Sequence, residues 1–235
     1  MRRIVMLLAG LGTALLAGCT LPSGLPGPGG APGWEANPVY ATFTEVAGRI
    51  EPVAERICRR EGAVRDCNFE IVIDRNPNQP PNAYQSVTDS GRPVLTVTAT
   101  LIEEMQNQDE LAFVLGHEAS HHILGHLDRQ QANAEAGAAI FAGLAELTGG
   151  SQADVQSALE LGAAVGARSY SKDFELEADA LGTVITFDAG YDPLKGAEYF
   201  TRLPDPGNRF LGTHPPNAAR VQIVQMTLQQ LKAAR

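Results

Sequence analysis

Leu111-Ala112-Phe113-Val114-Leu115-Gly116-His117-Glu118-Ala119-Ser120-His121 carries both the fold and the chemistry of this chain. Its apolar run predicts a buried helix, which other elements must cover. At about 100° per residue, His117 and His121 lie only about 40° apart on that helix, so both imidazoles can meet one cation. Zinc suits the pair, because it takes neutral imidazole nitrogen and prefers tetrahedral coordination. Glu118 points about 100° from His117, where a carboxylate reaches a zinc-bound water without taking a ligand position. Its expected role is general base. His122 and His126 project about 140° and 180° from His117, which predicts packing or surface histidines.

The third ligand must come from elsewhere, since Leu124 and Leu127 stand where a metzincin would need Gly and His. Phe174, Ala178, Leu181 and Ile185 form an apolar stripe, so the stretch around Glu175-Leu176-Glu177-Ala178-Asp179 predicts a second buried helix. Glu175 and Asp179 share one flank of it. Glu175 is assigned to zinc, and Asp179 to the outer carboxylate that orients a ligand histidine. Glu177, on the other side of the stripe, is the alternative ligand or an exposed charge.

These residues resemble the M48 peptidase family, whose pattern is HExxH followed by ExxxD on a later helix; His117, Glu118, His121, Glu175 and Asp179 match it. The similarity runs from about residue 82 to 220. Ala119 and Ser120 depart from the family's usual Leu and Ala, at positions between the ligands. The resemblance implies an α+β, zincin-like (gluzincin) domain, mostly helical with a small sheet, holding one Zn2+ per chain. Asn82-Ala83-Tyr84 is similar to the family's Asn-Ala-Phe at the start of an edge strand, which implies a strand that lines the cleft and pairs with extended protein or peptide substrates. Thr213-His214-Pro215-Pro216 and Arg220 are similar to the family's His-Pro motif with an Arg six residues later. His214 and Arg220 are then expected to approach the cleft from above, His214 as an oxyanion stabiliser or as a fourth zinc ligand that latches the enzyme, the latch being favoured. The implied function is a zinc-dependent endopeptidase acting on unfolded or misassembled cell-envelope proteins. The alternative is an envelope chaperone or assembly factor with a latched, structural zinc.

Composition is compatible with this. The 235 residues are 44% hydrophobic and carry a net charge of −9. Without Arg2 and Arg3 there remain 16 basic against 27 acidic residues, or −11, which argues against nucleic acid or anionic lipid as the main partner. Residues 1–18 read as a signal peptide: a basic start, an apolar stretch too short to span a bilayer, and small residues before Cys19. Leu16-Ala17-Gly18-Cys19 resembles a bacterial lipobox, which implies lipidation at Cys19. Thr20 in the next position implies anchoring at the periplasmic face of the outer membrane, where envelope assembly machinery becomes a candidate partner.

Residues 19–38 are rich in Pro and Gly and predict a linker, followed by the domain over 39–235. Phe43, Val46, Ile50, Val53 and Ile57 recur at helical spacing, with Pro52 predicting a kink or a junction between two short helices. Cys58 and Cys67 form an even pair in an oxidising compartment and are expected to be disulfide-bonded. Residues 69–73 and 94–98 predict strands with a long connection, and 132–167 predict an Ala/Gly-rich helical hairpin broken near Gly149 and Gly150. Pro215 and Pro216 can open a terminal helix carrying Val221, Val224, Leu228 and Leu231.

Overall fold

The computed structural model describes residues 38–234 apart from 62, 210, 211 and 213. Cys19 and residues 1–37 lie outside the described residues. The first helix, α1 (Pro38–Glu61), runs through Pro52 as one element, so the junction of two short helices does not occur. Phe43, Val46, Ile50, Val53 and Ile57 are all buried, and this shared packing face holds the helix across the missing Pro52 donor. Arg59 and Arg60 in its last turn complement the C-terminal dipole. The Cys58–Cys67 disulfide, with Cα atoms 5.7 Å apart, ties that end to the entrance of the sheet.

The sheet contains β1 (Glu70–Asp74), β2 (Ala83–Val87) and β3 (Pro93–Thr98), in the order β1-β3-β2. β3 is central and almost wholly buried, pairing parallel with β1 and antiparallel with β2. β2 is therefore an edge strand. Thr98 Oγ1 caps α2 (Ala99–Glu104) by accepting from Leu101 N–H, and Asn107 caps α3 (Gln108–Ile123) by accepting from Glu110 N–H.

Twelve of the sixteen residues of α3 are buried, which makes it the central helix of the molecule. Around it pack α1, α6 (Ser171–Asp188) and α7 (Pro193–Arg202), while α8 (Asn217–Ala233) lies against α6 and α7. The crossing of α3 and α6 is close because glycines face it. A Cβ at Gly182 would stand 3.0 Å from His117 N, and one at Gly116 would stand 3.0 Å from Gly182 O. Backbone contact at this point brings the first turns of α6 up to the histidines of α3.

Between α3 and α6, α4 (His126–Leu147) and α5 (Gln152–Ser169) form a hairpin that packs chiefly on itself. Its helices meet at Gly137 and Gly162, where an added Cβ would come within 2.3 Å of backbone oxygen on the facing helix. Gly149, at φ 78°, ends the first helix, and a Ser151–Asp154 capping box starts the second. Ile140, Leu144 and Leu147 are exposed on it. Among the described residues no helix is long and apolar enough to cross a membrane.

Candidate metal centre

His117 and His121 stand one turn apart on α3 and point their Nε2 atoms at each other across 3.0 Å. Glu175, in the second turn of α6, brings its two oxygens to 3.6 Å from His117 Nε2 and 3.5 Å from His121 Nε2. Among the described residues, these three form the one group of His, Cys, Asp or Glu with metal-ligand spacing. The donor set fits zinc. Tetrahedral bonds of about 2.0–2.1 Å place ligand atoms about 3.3 Å apart, close to the separations observed.

Each donor is held from behind. Asp179, fully buried and one turn after Glu175, lies 2.9 Å from His117 Nδ1. A carboxylate accepts only, so His117 carries its proton on Nδ1 and offers Nε2. Arg220, from the first turn of α8, binds Asp179 through two hydrogen bonds of 2.7 Å and spreads its guanidinium over the Phe200 ring, 3.7 Å from the centroid. Burial disfavours a charged His117, but the bonds to Asp179 and Glu175 outweigh it and push the pKa up to about 10. His121, buried and facing His117, is pushed down to about 3. Burial also raises Glu175, yet His117, His214 and Arg220 hold it well below the carboxylate range, so it is ionised.

Glu118 projects from α3 to the neighbouring side, toward β2. Thr98 N–H donates to Asn82 O and Asn82 N–H to Thr98 Oγ1, so antiparallel alternation turns the backbone of Tyr84 and Ser86 toward β3. Ala83 and Gln85 therefore face the open edge. The Gln85 backbone there lies close enough to Glu118 to lower its pKa slightly. Burial raises the Glu118 pKa, with His117 opposing and Glu175 adding, which makes it a stronger base than an exposed glutamate. A cleft of about 470 Å³ opens over these groups, lined by Asn82, Ala83 and Tyr84 on one side and by His214 and Arg220 on the other.

Sequence and structure part company at His126, while His122 packs as expected and His214 stands at the cleft. His214 is 57% exposed at the rim, with Nδ1 3.3 Å from Glu175 Oε2, and lies outside the three-donor group. His122 is a packing residue, edge-on to Phe69 and 2.7 Å from Asp66 O. His126 is buried too, but it does not face away: α3 ends at Ile123, Gly125 turns the chain at φ 64°, and the His126 ring returns to 2.8 Å from His121 Nδ1. Projection along an unbroken helix missed this turn, and Gly125 was the available signal. Glu177 is half-exposed, pairs with His126 and Arg129, and lies outside the three-donor group. Gln85 also escaped notice, because only strand parity reveals its contact.

Two imidazoles and a carboxylate that could hold one metal ion, with Glu118 beside them and a strand edge nearby, make a candidate metal centre. The pattern described as Peptidase family M48 matches residues 44–228, and the chain belongs to that family of zinc-dependent metallopeptidases. Comparison with curated proteins found no match.

Proposed function

We propose that the protein is a zinc endopeptidase of zincin type. It cleaves unfolded or misassembled cell-envelope proteins while lipid-anchored through Cys19 at the periplasmic face of the outer membrane. The convergence of His117, His121 and Glu175 beside Glu118 supports the chemistry. When bound, Zn2+ lowers the pKa of a coordinated water toward 7 and polarises the scissile carbonyl. Extended substrate adds a strand to the open edge at Ala83 and Gln85, which fixes the peptide plane over the donors. Glu118 takes the proton of the attacking water at a carboxylate oxygen and passes it to the leaving nitrogen. Asp179 and Arg220 hold His117 in place, and His214 faces the oxyanion from the rim.

Substrate and anchoring follow from the lipobox-like Cys19 and the open strand edge, which selects for extended backbone and not for one side chain. A latched chaperone would need closed coordination, and the grouping of three donors among the described residues supports the open, catalytic reading. The test is hydrolysis of a reduced, unfolded protein by wild type and Glu118→Gln, with zinc measured in both. We expect about one zinc per chain in each, with turnover lost in the variant by at least about 10²-fold. Equal cleavage by a zinc-loaded variant would overturn the assignment of the base.

A further inference from the structure

His117 and His121 are equivalent as ligands but are not supported alike. His117 Nδ1 meets a carboxylate directly. His121 Nδ1 meets a third imidazole, His126 Nδ1, at 2.8 Å. The far nitrogen of that ring, His126 Nε2, lies 3.1 Å from Glu177 Oε2, and Arg129 grips Glu177 with nitrogens at 2.5 and 3.2 Å. His126 is 4% exposed and stacks on Phe174 with ring centroids 4.7 Å apart, while Arg129 lies 4.3 Å from the centroid of the same ring. The ring is therefore fixed at both edges and on one face.

We infer that His126, oriented by Glu177, is a positioning residue that sets the tautomer of the metal ligand His121. The inference rests on the metal-centre reading of His117, His121 and Glu175. The Glu177 carboxylate only accepts, so the proton of neutral His126 sits on Nε2 and its Nδ1 presents a lone pair. That lone pair accepts His121 Nδ1–H, which leaves His121 Nε2 bare and aimed at the point it shares with His117 and Glu175. The left-handed turn at Gly125 is what brings His126 there; without it, α3 would continue and carry the residue to the opposite side. Both ligand histidines are thus backed by a carboxylate, one directly and the other through an intervening ring.

The full chain is titrated with Zn2+ against a competing chelator, as wild type, His126→Leu, His126→Gln and Glu177→Ala. The glutamine variant keeps an acceptor for His121 and a donor for Glu177; the leucine variant keeps bulk alone. Outer partners of this kind are typically worth about 10- to 100-fold in metal affinity. We expect a loss of that size in His126→Leu, substantial recovery in His126→Gln, and a smaller loss in Glu177→Ala, whose half-exposed position keeps the fold intact. In wild type, 15N shifts of the zinc-loaded protein should show His121 protonated at Nδ1. Equal losses in the leucine and glutamine variants, or unchanged affinity in His126→Leu, would overturn the inference. His121→Ala binding zinc as wild type does would instead overturn the metal centre itself.

Discussion

At the residue scale, Glu110 shows how a buried charge is kept ionised. It lies in the first turn of α3, fully buried, and accepts two bonds from Arg202 at 2.5 and 2.7 Å and one from Gln106 N–H. Burial pushes its pKa up, but these bonds outweigh it, and the folded value lies below the ordinary 4.5. A depressed folded pKa gives stability that is present above the unfolded value and lost as pH falls through the folded one. Glu110→Gln should therefore cost about 1–3 kcal/mol at pH 7 and flatten the loss of stability below pH 4.5, measured by denaturant melts across pH. An unchanged acid limb would contradict the assignment. His214 belongs to the same scale. In its proposed role toward the oxyanion it should be worth about 10²-fold in cleavage, with zinc retention unaltered in His214→Ala; higher activity with looser zinc would mark a latch.

At the scale of elements, the crossing of α3 and α6 positions the centre, and glycine sets how close the two helices come. Gly182 touches the backbone of His117, and Asp179 and Glu175 lie one and two turns before it on α6. A larger side chain there has only backbone to displace. Gly182→Val should separate the helices, weaken zinc binding by at least about tenfold and lower thermal stability, whereas Gly143→Val, with nothing within 4 Å, should do neither. Chelator titration and melting curves for the two variants check this. None of it was legible in the sequence, where a helical glycine does not reveal its neighbour. The HExxH spacing was legible, because 3.6-residue periodicity acts within one helix. It misled at His126, one residue beyond the left-handed turn that ends that helix.

Across the whole molecule, most helices and two of the three strands were visible from apolar spacing and β-branched runs, β2 only through the resemblance at Asn82-Ala83-Tyr84, and the disulfide from two cysteines left in an oxidising context. Continuity of α1 through Pro52 was not, since it depends on five side chains burying against distant elements. Of the support behind the ligands, Asp179 was legible from its spacing to Glu175 and Arg220 was expected at the cleft from the resemblance, whereas His126 and Glu177 are brought together only where α4 meets α6. The central claim is that three side chains from two helices hold one open zinc site. X-ray absorption at the zinc edge of the loaded protein tests it most directly. The account predicts two imidazole nitrogens and oxygen at about 2.0–2.2 Å, with no sulfur at about 2.3 Å, and loss of this signal in His117→Ala/His121→Ala. A sulfur ligand, or an unchanged spectrum in that double variant, would contradict it.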